Sequence, residues 1–485
     1  MWLALSVSLA AARMPCGTEE ALRHAPPPAR APRAAAPPSE PAHRDPYGVE
    51  NVRTSANFAV RWGPDYIPEE QVTQLLNAME IAWSVQVTNM GHPRPLGTDQ
   101  WYFNVYIGNT GGGAPSIGDF GGFQTFDSDG YPMIVMNPLT LDDEDGAEAT
   151  AIHEFYHAIQ SSLGRYPYAG LGAWYWEATA EWAAASTRPT NPAVGSSAYG
   201  YALLPDLPVN FFDYPDSNAL QESHQYGAFL FPWYLSGLFG PELIRDTWVI
   251  PGSSDDPLEV LREQLALRGE DFDAVWLDHI ATLAAWDFPM ADLWHDEVTY
   301  LANYVGSRQY AGVFSTDGRH EPLRREGWGE APGRYGFNVF VLQDPRFGDV
   351  DIEVTGDALG DAGSPATFVA RVVHIDGYDA RYTPLVFDGA TARATVPVDG
   401  ADQVLLVVGA LTPATTHWDS ETFAFTMTMS IGEPPDPGSG GLSIETPKPT
   451  EPVPSVCATG AETWSPLTLA VLLALRRRSR APNRV

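Results

Sequence analysis

The chain has 485 residues, 44% of them hydrophobic and 12% aromatic, which suffices for two or three domains with substantial cores. Its 28 basic against 61 acidic residues give a formal net charge of −33 and argue against nucleic-acid binding, which calls for a basic stripe. Such a surface instead keeps an extracellular protein soluble and attracts cations. The two cysteines, Cys16 and Cys457, both fall in stretches expected to lie outside the folded body, so neither a disulfide framework nor a cysteine nucleophile is predicted.

In chain order, residues 1–24 read as a degenerate signal peptide. An apolar run over 1–12 ends in small residues but lacks a basic start. Residues 25–46, rich in Pro and Ala, read as a linker. From 47 onward the pattern predicts a strand over 57–62, an amphipathic helix from Pro68 to about 88, and strands over 101–107 and 131–137. The glycines of 108–113 are not followed by Gly-Lys-Ser/Thr, which argues against a phosphate loop. Asp127-Ser128-Asp129-Gly130 and the acidic run 142–145 raise the question of Ca2+. Neither completes a twelve-residue calcium loop, and solvated turns are the expected reading.

Residues 149–163 contain no Pro or Gly, and their apolar positions recur at helical spacing. Within them His153-Glu154-Phe155-Tyr156-His157 is an H-E-x-x-H motif. Positions i and i+4 of a helix share a face, so both imidazoles can grip one zinc ion, with Glu154 beside it as the general base for a metal-bound water. A third ligand is needed. Glu177 follows His157 by 20 residues, in a second uninterrupted stretch after a Gly/Pro-containing turn, and Glu181 lies one helical turn further on. We assign Glu177 as the third ligand and Glu181 as the acceptor for the second ring N–H of a ligating histidine, expected to be His153. The alternative, a solvated face of an amphipathic helix, fits poorly with the flanking Trp174, Trp176 and Trp182.

This pattern resembles the gluzincin zinc metallopeptidases, the thermolysin-like zincins. Its wording, His-Glu-Phe-Tyr-His-Ala-Ile-Gln and Trp-Glu-Ala-Thr-Ala-Glu-Trp, is similar to that of uncharacterised metalloproteases of myxobacteria. The resemblance covers about residues 50–240. It implies an α+β fold: a zincin-type catalytic domain over 47–305 with a mixed sheet, the motif-bearing helix and a helical lower half. By the same resemblance 133–137 is an edge strand to which a peptide substrate adds, with a plain core strand as the other reading. It also implies a Tyr or His on a later helix for the oxyanion. Tyr226 is the first candidate and His224 the second, against the alternative that an aromatic at the head of an apolar helix is core.

Residues 187–216 form a Pro/Asn/Tyr-rich loop suited to covering a cleft, followed by helical patterns at 222–231, 257–268, 272–285 and 290–305. From 306 to 432 short alternating runs separated by Gly, Asp and Pro turns predict an all-β sandwich, read as an accessory domain. Residues 433–456 read as a flexible linker. In 457–485, Cys457, a short apolar stretch and an Arg cluster resemble the myxobacterial C-terminal sorting signal (MYXO-CTERM). That implies sorting machinery acting near Cys457 and anchoring to the outer membrane or cell surface.

The expected function is therefore a secreted, surface-anchored zinc metallopeptidase acting on protein or peptide. His153, His157 and Glu177 hold the metal, and Glu154 with Tyr226 or His224 carries the chemistry. A catalytically inactive zincin-fold binding module or adhesin is the alternative, against which an intact Glu154 speaks. A glycosidase using Glu177 and Glu181 ranks last, because carboxylates one helical turn apart cannot flank a glycosidic bond from opposite sides.

Overall fold

The computed structural model describes residues 16–26, 28–29, 41–212, 219–250, 252, 254–305, 309–314, 318–320, 331–343, 345, 348–377, 379–398, 400–412 and 420–431. The apolar run 1–12, most of the Pro/Ala-rich stretch, the 433–456 linker and the Cys457 segment lie outside them.

The first half opens with α1 (Thr18–Arg23), then β1 (Asn51–Thr54), β2 (Phe58–Trp62), α2 (Glu69–Ala82), β3 (Phe103–Ile107), β4 (Gly122–Phe126) and β5 (Pro132–Met136). The strands form a mixed sheet in the order β1-β2-β3-β5-β4, parallel across β2-β3-β5 and antiparallel at both edges. β5, the expected substrate-binding edge, is interior. Its Pro-Met-Ile-Val-Met run is buried at every position, as a strand covered on both faces should be. The edge is β4, a Gly-Phe-Gln-Thr-Phe segment whose mixed composition gave no strand signal. At its start Gly122 runs so close to the neighbouring helix that a Cβ would sit 2.9 Å from the Thr150 side chain.

That helix is α3 (Glu144–Leu163), begun by acidic residues in its first turn and ended by Gly164 in the left-handed conformation. It lies between the sheet and α4 (Ala173–Thr187), so nearly every side chain from Gly146 to Ser161 is buried. α4 is buried almost all round, its Trp174 and Trp182 fully. Helices α5 (Ala198–Ala202), α6 (Ala219–Gly227), α7 (Leu230–Phe239), α8 (Glu242–Val249), α9 (Pro257–Ala266), α10 (Phe272–Ala284) and α11 (Ala291–Val305) complete the helical half. The single helix expected over 222–231 is split between α6 and α7.

The β-region begins with β6 (Gly312–Phe314), β7 (Gly318–His320), β8 (Phe337–Gln343), β9 (Asp349–Gly356) and β10 (Phe368–Asp376). It continues through β11 (Asp379–Leu385), β12 (Phe387–Asp388), β13 (Thr391–Pro397), β14 (Gln403–Ala410) and β15 (Phe425–Ile431). Two five-stranded sheets, β11-β10-β14-β8-β6 and β12-β13-β9-β15-β7, face each other across Leu342, Val354, Val372, Leu406 and Phe425. The second sheet alternates buried and exposed positions, as a half-solvated sheet does. In the first sheet β14 is buried along nearly its whole length, because Leu405 and Val407 join the core of the helical half, where the sheet meets α10. The change of pattern near residue 306 thus separates helices from strands, while the helical core continues across it onto the outer face of the first sheet, and the described residues from 16 to 431 form one compact unit. The chain is α+β with several mixed sheets.

Candidate metal centre

α3 carries His153 and His157 on one face, and their rings meet edge-on with centroids 4.6 Å apart. α4 supplies Glu177 from its first turns. All three side chains are buried. Glu177 Oε2 lies 3.1 Å from His153 Nε2 and 3.5 Å from His157 Nε2. The outer ring nitrogens have their own partners. His153 Nδ1 lies 2.9 Å from Glu181 Oε2, and Glu181 Oε1 accepts from the Ser197 hydroxyl at 2.8 Å. His157 Nδ1 lies 2.6 Å from Gln160 Oε1. Gln160 is fixed in that orientation because its amide donates to the Trp176 carbonyl and the Thr179 hydroxyl.

These partners set the tautomers: each Nδ1 carries the proton, and each Nε2 turns a lone pair into the centre. Among the described residues His157 Nε2 is buried without a hydrogen-bond partner. Two imidazole lone pairs and a carboxylate oxygen aimed at one point repel unless a cation stands between them. Burial acts to raise the Glu177 pKa; when no metal is bound it is protonated His157 and His153, in place of a cation, that hold the carboxyl far below the usual range. Tyr168 adds a hydroxyl donated to Glu177 Oε1.

The fourth member is Cys16, which sequence placed outside the folded body. It is buried, and its Sγ joins His153, His157 and Glu177 in a cluster whose ligand atoms all lie within 4.8 Å of one another. Ligands about 2.0–2.3 Å from a shared tetrahedral ion stand roughly 3–4 Å apart, the spacing of Glu177 Oε2 from the two imidazoles at 3.1 and 3.5 Å, and the wider cluster with Cys16 admits one ion. Burial, and then the Glu154 and Glu177 carboxylates, push the Cys16 thiol well up. The expectation failed because residues 1–24 were read as one segment, led by the apolar run at its start. Thr18-Glu19-Glu20, with acids in a first helical turn, instead opens a helix packed on β4.

Glu154 follows His153 on α3 and is fully buried. Its Oε2 accepts from the Thr18 hydroxyl at 2.8 Å, while Oε1 has no partner among the described residues. The ring of Tyr226, on α6, lies 6.1 Å from that of His153. His224 is two positions away, about 200° round the helix, and its ring packs on Tyr201 and Phe211 at 5.3 and 5.7 Å. The structure therefore brings together His153, Glu154, His157, Glu177, Glu181 and Tyr226, and sets His224 among core aromatics. Asp127, considered for calcium, accepts from the Asp129 and Tyr131 amides and pairs with Arg44, so the cation at that turn is a guanidinium.

Residues 34–424 match the model of a family of unknown function, DUF6055. The chain belongs to that family. The match takes in the two histidines, Glu154, Glu177 and Glu181, and leaves Cys16 and Thr18 outside it. No curated protein matches. Among solved structures, the pre-peptidase C-terminal domain of a collagenase from Bacillus anthracis aligns at 12% identity and a TM-score of 0.16, covering 25% of this chain and 90% of that one. A family GH115 4-O-methyl-α-glucuronidase aligns at 11% identity and a TM-score of 0.16, covering 61% of this chain and 46% of that one. Among the described residues no helix is long and apolar enough to cross a membrane.

Proposed function

We propose that this chain is a zinc-dependent metallopeptidase of the gluzincin type, its first half a zincin-type catalytic domain. The observation that carries the reading is the convergence of His153 Nε2, His157 Nε2 and Glu177 Oε2 beside the buried Glu154, with each histidine's other nitrogen engaged. Nitrogen, carboxylate and thiol donors in a compact cluster suit Zn2+ better than an oxygen-seeking cation such as Ca2+. Zinc bound there supplies a Lewis acid for the scissile carbonyl and a water whose pKa falls to about 7.

The chain's own residues do the rest. Glu154 takes the proton of the attacking water and returns it to the leaving amine, acting first as general base and then as general acid. The Tyr226 hydroxyl serves the oxyanion. β4, the outermost strand of the mixed sheet, offers backbone groups to an extended peptide once the segment 16–18 paired with it has moved away. The resemblance of residues 1–12 to a secretory signal and of 457–485 to a sorting signal supports an activity at the cell surface.

One observation favours a second reading, a binding module on a structural zinc site: Cys16 supplies a fourth protein ligand, and structural sites are closed in that way. A structural site has no use for Glu154. The test is zinc content and casein hydrolysis by the full chain, the Glu154→Gln variant, and a chain starting at residue 41. Zinc is expected in all three, with hydrolysis greatest in the shortened chain, lost in Glu154→Gln and abolished by a chelator. A folded, zinc-loaded shortened chain that cleaves neither casein nor a broad peptide library would favour the binding module. A folded chain that takes up no zinc would overturn both readings.

A further inference from the structure

The segment around Cys16 occupies the space that a substrate of the proposed peptidase needs. Cys16 Sγ shares the cluster of His153, His157 and Glu177, so it would hold a zinc ion bound there as a fourth protein ligand, in place of the water or substrate that a catalytic zinc keeps. Two residues later the Thr18 hydroxyl donates to Glu154 Oε2 at 2.8 Å, engaging the carboxylate that has to receive a proton. Between them the Gly17 amide donates to the Gly122 carbonyl at 3.0 Å, and the Gln124 amide donates to Thr18 Oγ1 at 2.8 Å. Metal position, general base and the edge of β4 are thus blocked by three consecutive residues, and His157 Nε2 is left with the cluster alone to face.

We propose that Cys16–Arg23 is an autoinhibitory plug, with the Cys16 thiolate as a displaceable fourth zinc ligand, and that hydrolysis requires its departure. The proposal rests on the zinc peptidase reading above. The plug resists the chemistry it blocks: a thiolate at the metal presents no carbonyl, and the segment pairs with β4 in parallel through a single bridge at Cys16. Its hold is slight. α1 is six residues long, and Leu22 is only partly buried against the core. Gly17 passes Phe120 so closely that a Cβ would lie 2.6 Å from its ring, so this position admits glycine alone without displacement. Cleavage anywhere between the plug and Ala42, where the chain joins Trp101 of the catalytic half, releases the plug and leaves every other site residue attached.

The full-length chain carrying Cys457→Ser, loaded with Co2+, tests this without relying on activity alone. A thiolate-to-cobalt charge-transfer band in the near ultraviolet is expected, and it should vanish in Cys16→Ser at unchanged cobalt stoichiometry. With zinc restored, Cys16→Ser combined with Thr18→Val, and separately Gly17→Val, should raise kcat/KM for casein at least tenfold. The Gly17 variant leaves every donor in place, so its gain would mark displacement of the plug. Bound cobalt without the band would overturn Cys16 ligation and spare the peptidase. The band with no gain in any variant would show a fixed structural ligand and overturn the inhibition. No bound cobalt at all would overturn the metal centre on which both readings stand.

Discussion

His157 Nδ1 and Gln160 Oε1 stand 2.6 Å apart on neighbouring turns of one helix, and the Gln160 amide is tied in turn to Trp176 and Thr179 of the helix opposite. The pair locks the imidazole in the tautomer that turns Nε2 inward and couples the two helices that hold the centre. Gln160→Leu keeps the volume and removes the lock. Zinc affinity, measured by competition with a chromophoric chelator, should fall about 10- to 100-fold while the far-ultraviolet circular dichroism stays unchanged.

Tyr226 lies against His153 from a different helix and is not among the four candidate metal ligands, Cys16, His153, His157 and Glu177. Tyr226→Phe should leave zinc content and KM nearly unchanged and lower kcat by about 10²–10³, the loss typical of one oxyanion donor. A rise in KM with kcat unchanged would instead make the residue a substrate contact. The comparison requires a chain freed of its N-terminal segment.

Arg334 is buried where the strand region meets the helices. Its guanidinium lies 2.6 Å from Asp256 Oδ2 and donates to the Thr412 carbonyl at 3.0 Å. Asp256 also caps α9, accepting from the Leu258 amide. Arg334→Met leaves that carboxylate buried beside the cap without its cation. A loss of about 3–5 kcal/mol is expected in chemical denaturation.

His279 sits among Tyr201, Phe231, Tyr234 and Trp276, and burial lowers its pKa from 6.5 to about 3. Burial lowers that of His92 to about 3 as well, with Arg245 acting in the same direction. Between pH 6.5 and 3 the unfolded chain binds protons that the folded chain refuses. Stability should therefore fall as the pH drops through that window and be insensitive to these groups above it. Each histidine contributes at most about 1.4 kcal/mol per pH unit. His279→Phe should reduce the slope of unfolding free energy between pH 6 and 4 by about that amount, read from denaturation curves at each pH.

What the sequence made legible is what depends on short periods. His153, Glu154, His157, Glu177 and Glu181 lie on two uninterrupted helices, where fixed spacing tells which side chains share a face. Gln160 was within reach by the same rule, three positions after His157. Tyr168 lies in a loop, where no period places a side chain. Cys16 and Thr18 are more than a hundred residues from the motif, and only the chain's path along β4 brings them to it. β5 was expected at the edge and is interior, with the unforeseen β4 outside it, because order within a sheet is set by pairing, which composition does not record. The β-region was legible from its turns, but its attachment was not: it depends on which alternate residues of β14 face the helices.

Leu406 and Val407, adjacent on β14, belong to two different cores. Loosening one core tilts the strand that walls the other, so heat cannot melt the strand region while sparing the helices. The folded part of the chain should give one calorimetric transition, with a van't Hoff enthalpy close to the measured one. Cutting at the helix-to-strand boundary would bare an apolar sheet face and yield two insoluble fragments instead of an enzyme and its appendage.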